Sequence, residues 1–144
     1  MSAEHEHPRL ELARIAGETA RHYGTMRFAM FTVFSAVLGA LLSFAFSQGG
    51  TLFIAHAPHR VGLAAAGGAL SVLFLLAELR ISRLVTFYQE AAYAAGALPR
   101  PPGHERWKGV IVLTMVAPYA FSAVFWLLAG CGLIVFPVYP AAAG

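Results

Sequence analysis

The stretch Val61 to Leu98, VGLAAAGGALSVLFLLAELRISRLVTFYQEAAYAAGAL, decides the fold of this chain. Its first part, residues 61–77, has no ionisable side chain and suits hydrocarbon, whereas residues 78–98 carry four charged side chains and suit water. No glycine or proline separates the two parts. As one helix, the 38 residues would span on the order of 57 Å, against about 30 Å for a hydrocarbon core. The stretch therefore predicts a transmembrane helix that continues as a stalk outside the bilayer.

The composition is typical of a membrane protein with several spans. Of the 144 residues, 58% are hydrophobic and 12% are charged, whereas charged residues make up about a quarter of a soluble domain. The formal charge is +3, but nine of the ten basic residues fall in two clusters that membrane topology explains, so no nucleic-acid partner is expected. Abundant arginine, alanine and glycine are typical of a GC-rich bacterial genome. We therefore expect the chain in the bacterial plasma (inner) membrane.

The first transmembrane helix is predicted at residues 28–46, which contain no charge and are close to the length needed to cross. Residues 8–26 precede it directly and predict an amphipathic helix on the cytoplasmic side, because their apolar residues recur at spacings of three and four. A cleavable signal peptide is the alternative. It is disfavoured because the preceding segment mixes acids with bases and the apolar run is too long.

Small residues mark the faces at which the first two spans are expected to pack. In a membrane, small side chains let two backbones approach closely, and dispersion replaces the hydrophobic drive. The predicted packing residues are Ser35, Gly39 and Ser43 in the first span and Ala64, Gly67, Gly68 and Ser71 in the second. Their partner is a neighbouring helix, another membrane subunit or a second copy of the chain.

Residues 47–60 predict a short link, broken by two glycines and Pro58, so that the flanking spans form an antiparallel hairpin. The prolines at 99–102 are expected to end the stalk at Leu98. Trp107, set among charges just before the next apolar run, suits the interfacial belt of a membrane.

The third span is predicted at residues 109–136, a run without charge that is longer than one straight crossing needs, and its helix is expected to be kinked or tilted and to end near residues 130–136. Pro118 within it predicts a kink. Tyr119, Ser122 and Trp126 follow the proline at spacings of three and four. We expect them to pack and to satisfy the carbonyl that the proline frees, and the alternative is that they bind a ligand against the kink.

Basic residues predict the orientation. Their counts before the first span, in the first link, after the second span and after the third are 4, 1, 5 and 0. By the positive-inside rule the N-terminus and residues 80–108 are cytoplasmic, while the first link and the C-terminus face outward.

Two contacts are predicted between the cytoplasmic extensions. Arg27 is the last charge before the first span and Glu78 the first after the second, so an antiparallel hairpin places them at one depth as an ion pair. The alternative is that Glu78 faces water. Farther out, the apolar stripes of the helices 8–26 and 78–98 are expected to pair, and the alternative is that each lies flat on the lipid headgroups. The residues expected in this pairing are Leu12, Ile15, Tyr23, Leu84 and Tyr88.

Sequence patterns of catalysis are missing from the chain. It has no HExxH or GxSxG motif and no phosphate-binding loop, so we expect no enzyme and no cofactor. Histidine pairs suggest metal or haem sites, but each lacks the further ligands such a site needs, and no metal is expected. The two histidine pairs are His5 with His7 and His56 with His59. The candidate haem ligands are His22 and Met26, four residues apart.

The patterns together predict an all-α integral membrane protein in which residues 1–144 form a single membrane domain, with three transmembrane helices and two helical extensions on the cytoplasmic side. Sparse polar groups and plentiful small residues favour a non-catalytic accessory or scaffold subunit of a membrane complex or homo-oligomer. Its partners would be lipid and other membrane subunits or itself. The alternative is a self-assembling channel or transporter subunit, which would need polar side chains to line its path.

Overall fold

The computed structural model describes residues 6–137, without the side chains of residue 6 and residues 104–108. This part of the chain forms four α-helices, namely α1, Glu6–Ala45; α2, Gln48–Ile54; α3, Ala57–Ala94; and α4, His104–Gly130. It contains no strand. Three helices are long and apolar enough to cross a membrane, as expected of a multi-pass membrane protein. The prediction of an all-helical chain with three such helices is confirmed.

The amphipathic segment 8–26 and the apolar segment 28–46 belong to one continuous helix, α1, which ends at Ala45. On its charged first half Arg14 contacts Glu11 at 2.6 Å and Glu18 at 2.7 Å, and all three side chains are exposed. The hydrogen bond from Arg14 favours the ionised carboxylate, so the pKa of Glu11 lies below its usual value.

The link between the first two long helices contains the short helix α2, and its breaks lie at residues 46–47 and 55–56 instead of at the glycines and Pro58, which corrects the expectation for residues 47–60. Ser47 is the N-cap of α2: its backbone is extended, and its hydroxyl accepts a hydrogen bond from the Gly50 N–H at 3.0 Å. Gly50 is required because a Cβ there would overlap the carbonyl oxygen of Phe44. Pro58 lies in the first turn of α3, where its missing N–H costs nothing. The supposed helix breakers therefore lie where helices begin.

α3 ends earlier than predicted, at Ala94 instead of Leu98. Gly96 adopts the left-handed conformation with a φ of 66°, and the Ala97 N–H donates to the Ala92 carbonyl oxygen at 3.0 Å. This is a glycine-dependent helix C-cap. The glycine therefore stops the helix before the prolines are reached.

α4 ends at Gly130, at the start of the range 130–136 expected for the end of this helix. Gly132 has a φ of 75°, and the Leu133 N–H donates to the Leu128 carbonyl oxygen at 2.9 Å, which closes the helix after Gly130. The last residues of the predicted span 109–136 are therefore not helical.

The described residues belong to two compact units. The first contains the residues up to Met30 together with Leu76–Val116, and the second contains Phe31–Leu75 and the residues from Ala117 onward. Each of the three long helices contributes one segment to each unit.

In the first unit, α1 and the second half of α3 pair through part of the predicted face. Tyr23 and Tyr88 stack with ring centroids 6.5 Å apart, and Ala92 is fully buried. Leu12 and Ile15 are instead 41% and 47% exposed. These two large side chains are therefore more exposed than expected, whereas the small side chain of Ala92 is buried.

In the second unit, the core gathers large aromatic side chains against small ones. Phe34 of α1 packs against Phe74 of α3 and Tyr119 of α4, with ring centroids 5.4 and 4.7 Å apart. Trp126 of α4 is 1% exposed and lies on Gly67 of α3, where an added Cβ would be 2.3 Å from the indole. The absence of a side chain at Gly67 therefore makes room for the indole of Trp126.

Candidate functional site

A polar cluster in the first unit joins α1 to α3. Arg27 Nε lies 3.0 Å from Glu78 Oε1, and Arg27 Nη2 donates a hydrogen bond to Ser82 Oγ at 2.6 Å. Ser82 Oγ in turn donates to Glu78 Oε1 at 3.2 Å. The structure thus brings together the two residues predicted as an ion pair and adds a hydroxyl between them. We call these three residues the Arg27 cluster.

Sequence reasoning overlooked Ser82, although a signal for it was present. Glu78 and Ser82 are four residues apart, so one helical turn places both on the same face of α3. A hydroxyl on the face of a buried carboxylate is a natural second partner for it. The spacing predicts the common face, but not that Arg27 would use the hydroxyl as its acceptor.

The Arg27 cluster is removed from solvent. The side chain of Glu78 is 2% exposed and that of Arg27 is 20% exposed. Arg27 Nε makes no aligned hydrogen bond, so its contact with Glu78 is chiefly Coulombic and the directional bonds run through Ser82. Because charges are costly to bury, removal of either partner leaves the other uncompensated, at about 3–5 kcal/mol.

A cleft of about 300 Å³ opens beside the Arg27 cluster within the first unit. Arg27, Ser82, Thr86 and Gln89 supply its polar lining, while Val85 of α3, prolines of the 99–103 turn and apolar residues of α4 supply the rest. The charge of Arg27 is already balanced by Glu78. These lining residues can hydrogen-bond a neutral polar group.

In the second unit a pair of buried hydroxyls joins α3 to α4. Ser71 Oγ donates to the Gly67 carbonyl oxygen at 2.8 Å and lies 2.8 Å from Ser122 Oγ. Because a hydroxyl carries one proton, Ser122 must donate to Ser71. The expectation that Ser122 satisfies the carbonyl freed by Pro118 is therefore wrong. Pro118 itself is exposed within α4.

The small residues predicted at helix interfaces separate into two groups. Those of α3 lie inside the second unit, whereas those of α1 are exposed, and Gly39 has no neighbouring atom within 4 Å of an added Cβ. The inward group consists of Ala64, Gly67, Gly68 and Ser71. The exposed group, which we call the α1 stripe, consists of Ser35, Gly39 and Ser43.

Three of the described histidines, His22, His56 and His59, make aromatic contacts. His59 stacks on Phe53 at 4.3 Å, its Nδ1 lies 3.3 Å from the Phe53 carbonyl oxygen, and His56 meets its ring edge-on at 5.7 Å. His22 and Met26 are exposed. Within the described part of the chain, no three His, Cys, Asp or Glu side chains converge to hold a metal ion.

Two sequence-based predictions concern groups outside the described residues: the terminal His5 and the side chain of Trp107. Comparison of the chain with protein-family models, curated protein sequences and solved structures found no match. The function must therefore be inferred from the chain's own residues.

Proposed function

We propose that this protein is a non-catalytic subunit of a membrane complex, an accessory or scaffold component that packs against other membrane subunits or copies of itself. The Arg27 cluster is the observation that carries the proposal. Its charged groups are costly to bury, and they bond to one another across two helices. The Ser71–Ser122 contact joins helices in the same manner in the second unit. Such polar groups hold the helices of this chain to one another, which is the role expected in a packed, non-catalytic subunit.

The α1 stripe supports packing against another chain. Its members, Ser35, Gly39 and Ser43, recur every four residues on one face of an apolar helix segment and are exposed. Small residues at this spacing are typical of helix–helix interfaces in membranes. We propose that a transmembrane helix of another chain covers the stripe.

The charge distribution supports a location and an orientation. Residues 61–79 and 109–144 contain no basic side chain, and basic residues gather before residue 28 and between residues 80 and 108. We propose a multi-pass protein of the bacterial plasma membrane with a cytoplasmic N-terminus and an external C-terminus.

Native mass spectrometry of the protein extracted from its own membrane in mild detergent tests the proposal. We expect a discrete assembly, with a partner or with itself, that Gly39→Leu disrupts without loss of helical content. Ala29→Leu is the matched control, because it enlarges an exposed residue of α1 outside the stripe. A monomer without partner, or an assembly insensitive to Gly39→Leu, would contradict the proposal.

Conductance separates this proposal from a channel. The wild-type assembly is reconstituted into planar lipid bilayers, and no current above the lipid background is expected. A homo-oligomer that conducts ions would replace the scaffold function with that of a channel.

A further inference from the structure

Arg60 is a cation with no acidic side chain in the sequence of its unit. It is the only Lys, Arg, Asp or Glu in residues 31–75 and 117–144. Its side chain is half-buried, and its Nε is fully buried with no hydrogen-bond partner among the described residues. A buried donor on a charged group is costly when it lacks an acceptor. Arg27 differs from Arg60 because it has a carboxylate as counter-charge and a hydroxyl as hydrogen-bond acceptor.

The backbone around Arg60 accommodates the guanidinium closely. Arg60 lies in the first turns of α3 and reaches the turn that follows α4, where an added Cβ on Gly132 would be 3.3 Å from Arg60 Nη2. Gly132 also has a φ of 75°, which other residues rarely adopt. The glycine that ends α4 therefore also presents a bare Cα to the guanidinium.

The guanidinium lines a cleft of about 310 Å³ in the second unit. One wall comes from α2, with Leu52 and Ile54, and the other from the non-helical residues Ile134 to Pro137 after α4. The cleft thus combines one unneutralised cation with two apolar walls. This pairing suits an amphiphile with an anionic head.

We propose that the Arg60 cleft binds a membrane lipid through the phosphodiester of its headgroup. The planar guanidinium donates to phosphate oxygens in a bidentate manner, which an ammonium group does not reproduce. The acyl chain lies along the apolar walls. Arg60 directly precedes the apolar stretch 61–77, which places its charge at the end of a membrane-spanning segment, at the depth of lipid headgroups. Free inorganic phosphate offers the guanidinium the same anionic oxygens, but it has no acyl chain to contact the apolar walls.

Photo-crosslinking tests the lipid site. The full-length protein, delipidated in detergent, is titrated with phosphatidylglycerol that carries a diazirine in its acyl chain, and crosslinks to residues 133–137 are quantified by peptide mass spectrometry. Arg60→Gln is expected to reduce lipid affinity at this segment by about tenfold or more, the loss of a charge-assisted bidentate contact. The control Arg21→Gln removes the same charge from an exposed position and is expected to leave these crosslinks unchanged.

Further measurements compare a lipid phosphate with free phosphate as the ligand. They also control for the possibility that Arg60→Gln does not fold. Diacylglycerol with the same diazirine lacks the phosphate and is expected to crosslink weakly in the wild type. Inorganic phosphate, compared with chloride at equal ionic strength, is expected to raise thermal stability much less than phosphatidylglycerol does. If Arg60→Gln loses helical content by circular dichroism, Arg60→Lys provides the comparison and is expected to bind less lipid than the wild type at this segment.

Three outcomes would overturn the inference. Equal crosslinking of the wild type and the folded Arg60 variants would show that the guanidinium does not hold the lipid. Equal crosslinking by diacylglycerol would show that the tail alone binds. Stabilisation by inorganic phosphate as large as that by the lipid, and lost with Arg60, would make the ligand a free anion.

Discussion

Glu78 illustrates how a buried charge selects its partner at the scale of single residues. It has two arginines close by in sequence, Arg80 and Arg83, yet both are exposed. Offsets of two and five residues turn a side chain toward other faces of a helix, so neither can reach the carboxylate. Arg27 on α1 reaches it instead, and Ser82 completes the contact.

The first prediction is that Arg27 and Glu78 are energetically coupled. Arg27→Ala and Glu78→Ala should each lower the free energy of unfolding by about 3–5 kcal/mol, because each leaves an unpaired charge. The double variant should lose less than the sum, with a coupling of about 1–3 kcal/mol. Denaturant titration in detergent measures all four proteins. Arg80→Ala should stay within about 0.5 kcal/mol of the wild type, and strictly additive losses for the pair would refute the coupling.

The second prediction concerns Glu11, whose pKa is lowered by the hydrogen bond from Arg14. A lowered pKa in the folded state stabilises the helix above the pKa of the unfolded chain, and this contribution disappears as pH falls through the lower, folded value. NMR titration of the Glu11 carboxyl should give a pKa below that of an ordinary glutamate, and Arg14→Gln should return it toward the ordinary value. An identical pKa in the two proteins would show that Arg14 is not the cause.

At the scale of elements, the close packing of α3 depends on the position of its glycines. Gly67 and Gly62 are both in the apolar part of this helix, but Gly67 touches Trp126 whereas Gly62 has no neighbour within 4 Å of an added Cβ. Glycine costs a helix conformational entropy relative to alanine. At Gly67 that cost is offset by contact with the indole, and at Gly62 the structure shows no such compensation.

The third prediction follows from this difference. Gly67→Ala should destabilise the protein by about 1–3 kcal/mol, because its Cβ would be 2.3 Å from the Trp126 ring and the indole must move. Gly62→Ala should be neutral or stabilising by up to about 1 kcal/mol, through helix propensity alone. Denaturant titration and the near-ultraviolet circular dichroism of the tryptophans provide the measurement. Equal effects of the two substitutions would contradict close packing at Gly67.

At the scale of the whole molecule, the distribution of charge is asymmetric along the chain. All acidic residues and all basic residues except Arg60 lie in residues 1–30 or 76–116. Each of the three helices that are long enough to cross a membrane contains a long uncharged stretch, at residues 28–45, 61–77 and 109–130. This alternation is the basis for the proposed orientation.

The fourth prediction is the topology itself. Single cysteines at positions 2, 49 and 144 are introduced into a Cys131→Ser background, since Cys131 is exposed and free. Gly49 is chosen over Gly50 because nothing lies within 4 Å of an added Cβ. An impermeant thiol reagent should label positions 49 and 144 in intact cells and position 2 only after the membrane is permeabilised. Labelling of position 2 in intact cells would refute the orientation.

The sequence by itself determined the helical class, the three apolar segments and the ion pair between Arg27 and Glu78. These features depend on the length of the uncharged runs and on how close the charged residues lie to the ends of the spans. Both can be read from the local sequence. Helix ends were predicted less well, because Gly96 and Ser47 act through backbone conformations that composition alone does not reveal.

Only the tertiary structure decided which faces meet. In the folded chain Leu12 is exposed and Ala92 is buried. Ser122 pairs with Ser71, and Ser82 accepts a hydrogen bond from Arg27. Each outcome depends on which residue of a distant segment lies opposite, and on how closely two backbones approach when one of them has only small side chains. Periodicity identifies the faces of one helix, whereas close packing between helices selects among them.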